Sequence, residues 1–316
     1  MNPIVGIGEL LWDVYPDGRK VAGGAPFNFA FHCHQLGHPA VIVSRVGNDD
    51  LGRELRERVR ELGLSDEYIQ TDRKLPTGTV QVTVDNAGQP SYRIVEKVAW
   101  DSIEWNNVLA DVIRRAAALC HGTLGFRNKV SRQTILKAAG LKSRRGSNPG
   151  LVVFDVNIRG EKHGPGRRDW DAFEQSVVNS HWAKMNENED GLIAMCIDHM
   201  MDDDPWPRTT EGMFKYLRHF TKLEDRLWIV TRGADGAELT SETIRHHESG
   251  VPAKVVDTVG AGDSFTAAMV CLHLEGRPLR ECAQFAVHYA ARVCEQPGGT
   301  PRIDRKEVER AVFGVK

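Results

Sequence analysis

The chain has 316 residues, 41% hydrophobic and 27% charged, and a net charge of −2. That balance suits a globular protein with a large core, and it argues against nucleic acid or an anionic membrane surface as a partner. Six cysteines, Cys33, Cys120, Cys196, Cys271, Cys282 and Cys294, are scattered without a C-x-x-C pair, most among apolar neighbours as reduced core thiols are.

The stretch MNPIVGIGELLWDVYPDG has no basic segment ahead of a long apolar run, so it does not read as a signal peptide. No window approaches the length of a membrane span, and a cytoplasmic location is expected. PIVGIGELLWD predicts a buried strand. GIGELL lacks the third glycine of a dinucleotide fingerprint, since Leu11 stands there and no helical run follows. Asp13 ends that strand. It either starts the turn continued by Pro16, Asp17 and Gly18 or accepts hydroxyls of a ligand.

In VAGGAPFNFAFHCHQLG, Gly23 and Gly24 form a flexible turn and Pro26 suits the first turn of a helix that stops at Gly37. Asn28 faces back toward the glycines. His32, Cys33 and His34 point different ways on a helix, so they favour packing or surface over a shared metal. Strand, turn and helix follow in AVIVSRVGNDDLGRELRERVRELGL, with Asn48, Asp49 and Asp50 as capping groups and Leu51, Leu55, Val59 and Leu62 on one helical face. Val80, Val82 and Val84 alternate with polar residues, Asn86 to Pro90 turn, and SYRIV makes the second strand of a hairpin.

Residues 101 to 145 alternate helix and strand, with HGTLGF as a strand-end loop and LKSRRGSNPG as a basic surface loop. LVVFDV predicts a buried strand, and Asp155, Asn157 and Arg159 share a face if the chain stays extended. Arg159 offers a guanidinium fork suited to phosphate, or else pairs with Asp155 or caps a helix. HWAKMNENEDGLI predicts a strand ending in a polar cluster, Asn186, Glu187, Glu189 and Asp190, which by itself reads as a helix N-terminus. Residues 196 to 225 read as loop and helix, their triple Asp as a solvated turn. RLWIVTRGADGAEL is a buried strand followed by Gly233 and Gly236, open to a hairpin with AEL. In DTVGAGDSF, Gly260, Ala261 and Gly262 run into Asp263 at the start of an apolar helical segment. Such a helix start is an anion site, and a carboxylate there is a proton acceptor beside a bound phosphate. The plain alternative is a tight turn with an Asp cap. Two helices then lead to QPGGTPRI.

DTVGAGDSF closely resembles the C-terminal signature of the ribokinase-like (PfkB) sugar kinases, and VAGGAPFNFAFHCHQLG resembles their other signature. GNDDLG, FDVNIR, N-x-x-E and V-T-x-G-x-x-G follow in the family's order, so the resemblance spans nearly the whole chain. It implies that Asp263 deprotonates the acceptor hydroxyl while Gly260, Ala261 and Gly262 stabilise the moving phosphoryl group. It implies that Asp13, Gly23, Gly24 and Asn28 bind the sugar, and that the hairpin is a β lid carrying Tyr92 and Arg93. Arg159 would meet substrate or phosphate, and Asn186, Thr231, Gly233 and Gly236 the nucleotide. Glu189 would act on Mg²⁺ through water, and Asp257, Val259 and Gly298 would hold a monovalent cation such as K⁺. Val287, beside His288, stands where many relatives have an adenine-side Asn.

The expected fold is α/β: a mostly parallel sheet with helices on both faces (ribokinase-like) plus a small β lid. A single domain is expected over 1–316, with the lid from about 12–20 and 78–97. No P-loop is present. Ala25 and Pro26 stand where ribokinases carry a Lys, as in the fructokinase-like branch; FDVNIR resembles FDPNLR, with Val156 where Pro is usual. The expected activity is ATP-dependent phosphorylation of a sugar's primary hydroxyl, fructose first. 2-Keto-3-deoxygluconate kinase and ribokinase are the alternatives, and a silent sugar-binding regulator the rival from another class. A homodimer through the lid is the expected assembly.

Overall fold

The computed structural model describes residues 2–84, 90–143, 149–158, 167–190 and 226–314. The predicted loops at 85–89 and 144–148, Arg159, and the segment from Cys196 to Asp225 lie outside the described residues.

Among the described residues seven parallel strands form the main sheet: β1 (Ile4–Ile7), β4 (Ala40–Gly47), β5 (Ile69–Asp72), β8 (Ala118–His121), β9 (Leu151–Asp155), β10 (Trp182–Asn186) and β11 (Leu227–Thr231). Strands β12 (Ala237–Thr240) and β13 (Arg245–Glu248) extend the sheet antiparallel at one edge. The order is β13-β12-β11-β10-β9-β8-β1-β4-β5. The strands of the middle are apolar almost throughout because helices cover both faces. Alternate residues serve different layers: Ile4 packs in one apolar cluster, Val5 and Ile7 in the other.

The first layer lies under α1 (Ala25–Gln35), α2 (Asp50–Glu61), α6 (Ala261–Leu274) and α7 (Leu279–Cys294). The second lies under α3 (Asn107–Arg115), α4 (Lys129–Ser143) and α5 (Arg167–Asn179). α2 starts as predicted at an Asp: Asp49 Oδ1 accepts from Gly52 N at 2.8 Å, and Leu55 and Val59 are buried. A further helix, α8 (Arg305–Phe313), follows the two that the sequence foretold.

A second sheet has four strands, β2 (Leu11–Val14), β3 (Lys20–Gly23), β6 (Gly78–Val84) and β7 (Pro90–Ile94), in the order β3-β2-β6-β7. PIVGIGELLWD is therefore two strands, not one. The chain leaves the large sheet after Ile7, Gly8 O accepts from Ser44 Oγ at 2.7 Å, and the next four-residue strand joins the small sheet. Asp13 thus sits within β2, not at the end of β1. The small sheet is tied down by Trp12, whose Nε1 donates to Leu51 O at 3.0 Å. Arg127 ties it again, donating to Val95 O at 2.9 Å and to both oxygens of Asp101 while lying over the Trp100 ring.

The two neighbours of β1 are β4 and β8, so the strand order reverses there. Ligands of open α/β sheets bind beyond the carboxyl ends of strands at such a reversal.

Candidate active site

Two helix N-termini meet over these strand ends. α1 begins after Gly24, whose φ is 117°, and a Cβ there would fall 2.4 Å from Glu9 O. Glu9 in turn accepts the Ala25 N–H with Oε1 at 3.2 Å. α6 begins after Gly260, whose φ of 76° lies in the left-handed region. A Cβ on Gly260 would fall 2.7 Å from Gly299 Cα, so the turn and the later glycine loop are in backbone contact. Asn28 in the first turn of α1 donates from Nδ2 to Asp263 Oδ2 in the first turn of α6 at 2.8 Å, across 235 residues of sequence. Both side chains are buried, and Asn28 Oδ1 has no hydrogen-bond partner among the described residues. A buried acceptor of that kind is costly unless a ligand donor meets it.

The Asp257 carboxylate accepts Val259 N with Oδ1 at 3.0 Å and Gly298 N with Oδ2 at 2.8 Å. Asp257 therefore shapes the approach to the turn, and an ion here would lean on main-chain carbonyls. The residues expected to handle a monovalent cation, Asp257, Val259 and Gly298, are thus brought together.

Asp13 lies against the other glycine: a Cβ on Gly23 would fall 2.9 Å from Asp13 Oδ2. Register puts Asp13 opposite Val21 and Val80, and Val82 opposite Tyr92. Asp13, Val21 and Tyr92 consequently share a face of the small sheet. That face looks toward the turn, since a Cβ on Gly298 would meet Val21 Cγ1 at 3.6 Å. Tyr15 feels the same surroundings: burial first, then Asp13 and Tyr92, with Asp257 adding to them, push its hydroxyl up. Arg93 is a correction. It is the next residue of the strand, so it takes the opposite face, where it donates to Gln81 Oε1 at 3.2 Å.

The alternation expected of Asp155, Asn157 and Arg159 also fails. β9 ends at Asp155 and Asn157 has φ 43°, so the chain does not stay extended. Asp155 turns inward, accepting from Lys184 Nζ at 3.1 Å and from Thr266 Oγ1 at 3.0 Å.

Asn186 and Glu189 close on each other. Asn186 Oδ1 accepts Glu189 N at 3.0 Å, and Glu189 Oε2 accepts Asn186 N at 2.9 Å. Glu189 Oε1 also accepts Ile158 N at 2.8 Å. This is a capping box that also ties the end of β9 to the end of β10. Among the described residues no cluster of three or more His, Cys, Asp or Glu is arranged as a metal cage. Backbone donors take one lone pair of each Glu189 oxygen, so a Mg²⁺ held by phosphate would be met by this carboxylate through water. Burial pushes the Glu189 carboxyl up, against the pull of Lys184.

Thr231 ends β11 and donates to Met185 O at 3.3 Å. Gly233 and Gly236 bound the turn into β12, so the hairpin with AEL forms as well. Arg232, just ahead of Gly233, pairs with Glu238 at 2.9 Å. Val287 is buried in α7.

Lys184 was not legible as a site residue. Its charge sits inside the strand WAKMN, whose other members are apolar up to Asn186. A cation in the middle of a buried run is the signal that was available.

A profile of the pfkB family carbohydrate kinases matches residues 15–305. An uncharacterized sugar kinase of Pyrococcus horikoshii is 28% identical over 317 aligned residues, 95% of this chain and 93% of that one. Fructokinase-1 of Oryza sativa subsp. japonica is 25% identical over 324 residues, 95% of this chain and 94% of that one. The P. horikoshii kinase crystallised in complex with ATP superposes with a TM-score of 0.76 at 27% identity, over 97% of each chain. A fructokinase from Xylella fastidiosa with bound ATP superposes with a TM-score of 0.81 at 17% identity over 98% of each chain, a likeness of fold.

Proposed function

Because this chain belongs to the pfkB family of carbohydrate kinases, we propose that it transfers the terminal phosphoryl group of ATP to a sugar's primary hydroxyl, with fructose as the acceptor. The observation that carries this reading is the 2.8 Å contact between Asn28 and Asp263, which brings the two helix starts to one point. Asp263 takes the proton of the attacking hydroxyl. Asn28 aligns that carboxylate through Nδ2 and leaves Oδ1 for a sugar hydroxyl. Asp13 and the backbone at Gly23 and Gly24 hold the sugar from the other side, with Tyr92 on the same face of the small sheet. The small sheet acts as the lid that keeps water from competing for the phosphoryl group.

The main-chain donors of Gly260, Ala261 and Gly262 and the α6 dipole meet the charge that develops on the phosphoryl oxygens, a contribution of about 3–4 kcal/mol per essential donor in comparable sites. Arg159 is proposed as a further cation toward phosphate, and Asn186, Thr231, Gly233 and Gly236 as the polyphosphate wall. Mg²⁺ supplies charge neutralisation when bound, and Glu189 orients water around it. K⁺ is proposed at the carbonyls of Val259 and Gly298. ATP as donor is supported by the P. horikoshii kinase bound to it. Fructose as acceptor is supported by the rice fructokinase and by GELLWD, GGAPFN and FDVNIR.

The test is ADP release coupled to a panel of sugars. Turnover highest on fructose is the expected result. Turnover highest on 2-keto-3-deoxygluconate or ribose reassigns the sugar, and sugar binding without ADP release would make the protein a sugar-binding regulator.

A further inference from the structure

Lys184 occupies a position that the proposed chemistry does not assign. Its side chain is 7% exposed and its ammonium lies 3.1 Å from Asp155 Oδ1. On its other side is the start of α6: a Cβ on Gly262 would fall 2.6 Å from Lys184 Nζ. Position 262 has room for an ammonium only because it has no side chain. The second Asp155 oxygen and Gly262 O share the single proton of the Thr266 hydroxyl, at 3.0 and 2.9 Å. Lys184, Asp155 and Thr266 therefore close a clamp around one helical turn, Gly262 to Thr266. Asp263 is inside that turn.

The electrostatics agree with the geometry. Burial alone would lower the Lys184 ammonium, yet Asp155, then Glu189, then Asp263 hold it above the usual lysine range. The Cys120 thiol at the end of β8 reports the same cluster from below, pushed up by burial and then by Asp155 and Asp263. Lys184 thus contacts one carboxylate, Asp155, and feels the charge of two more, Glu189 and Asp263.

We propose that Lys184 is a positioning residue for phosphoryl transfer, its ammonium fixing the first turn of α6 through Asp155 and Thr266 so that Asp263 and the anion turn keep one geometry. The turn that carries the base has two ties. Asn28 holds Asp263 from the sugar side, and the clamp holds the turn from the sheet side. Substrate binding does not need the clamp, because sugar and nucleotide contacts lie on other residues. Turnover does, since small misplacements of a reacting group are costly in rate. The inference rests on the kinase reading for its consequence in rate, but not for its consequence in structure.

Removing the lysine alone would strand a buried carboxylate. The test is therefore Lys184→Met combined with Asp155→Asn, which keeps an acceptor for Thr266, together with Thr266→Val as a variant that disturbs no charge. In the double variant the melting temperature stays close to wild type. Amide exchange of Ala261–Thr266 speeds up about tenfold, kcat falls about tenfold, and KM for sugar and ATP stays within about twofold. Thr266→Val shows the same pattern, smaller, and decides the matter if the double variant does not fold. Unchanged exchange at Ala261–Thr266, or unchanged kcat, overturns the proposal. The exchange measurement needs no substrate, so a wild type silent on every sugar would overturn the kinase reading while this one was still judged on the clamp.

Discussion

In the proposed reaction, Asp263 is the residue on which turnover depends most directly. Asp263→Asn keeps an oxygen for the Asn28 donor and nearly the same volume, so the variant is expected to fold and to bind sugar. Its kcat should fall about 10²–10⁴-fold, the usual loss when a general base is removed. Single-turnover assays and calorimetry on the same preparation check both halves, and near-normal turnover would remove Asp263 from the base role. Gly260 tests the turn itself. In Gly260→Ala the added methyl meets Gly299 Cα at 2.7 Å and must adopt a φ of 76°. A stability loss of about 1–3 kcal/mol in urea titration is expected, together with weaker ATP binding. Asn28 and Asp263 each stand out in a short motif, GGAPFN and GAGDSF, but nothing local in either motif says that the two side chains meet. Arg93 does not join Tyr92 because adjacent residues of a strand take opposite faces, which the resemblance alone does not separate. Lys184 drew no reading, because the sequence does not record that Asp155 and Gly262 lie beside it.

At the scale of elements, α1, α7 and the loop after α7 are bound by a chain of polar contacts with one direction. Gln35 Nε2 donates to Tyr289 Oη at 2.7 Å, and Tyr289 Oη lies 3.0 Å from His32 Nδ1. His32 Nε2 lies 3.0 Å from Gly299 O. A carbonyl only accepts, so Nε2 carries the proton, Nδ1 accepts from the tyrosine, and the ring is neutral. Burial holds His32 down to about 4, opposed by the Gly299 contact, and burial holds His121 down to about 3, its ring stacked on Phe154 at 5.2 Å. Both folded-state values lie below the unfolded value of about 6.5. The unfolded chain therefore binds more protons, and stability is lost as pH falls below about 6.5. Each histidine should contribute about 2 kcal/mol of loss between pH 7.5 and 5. His121→Phe keeps the stack and should flatten that slope by its share in urea midpoints. An identical pH slope in the variant would mean that His121 titrates normally in the folded chain. The sequence allowed His32 to be read as packing rather than metal, and the structure puts it in packing with a defined tautomer. Its partners at 289 and 299 could not be read, because no local pattern links residues so far apart.

For the whole molecule, the alternation of strand-like and helical runs sufficed to predict a mostly parallel sheet covered on both faces. The small sheet was harder. Its central pair, β2 with β6, is parallel and joins Leu11–Val14 to Gly78–Val84, and no hydropathy pattern announces a pairing across that interval. Only the resemblance placed residues 12–20 and 78–97 in one lid. Its attachments are uneven. β2 is anchored by Trp12 on Leu51, β3 by the Lys20–Glu54 pair, and the stem below β7 by Arg127 on Val95. β7 itself is an edge strand with Tyr92 52% exposed. A sheet held at its base and open at that edge can close over a ligand by small rotation about the anchors. Sugar together with a non-hydrolysable ATP analogue is expected to slow amide exchange in 78–84 and 90–94, while β8, β9 and β10 keep their protection. Equal exchange with and without ligands would make the small sheet a fixed wall, and water exclusion would then have to come from the sugar filling the site. Sedimentation in the same samples tests whether the exposed edge is instead covered by a second copy: a dimer dispersed by Tyr92→Glu would assign that edge to assembly, whereas a monomer at every concentration leaves Tyr92 to the ligand.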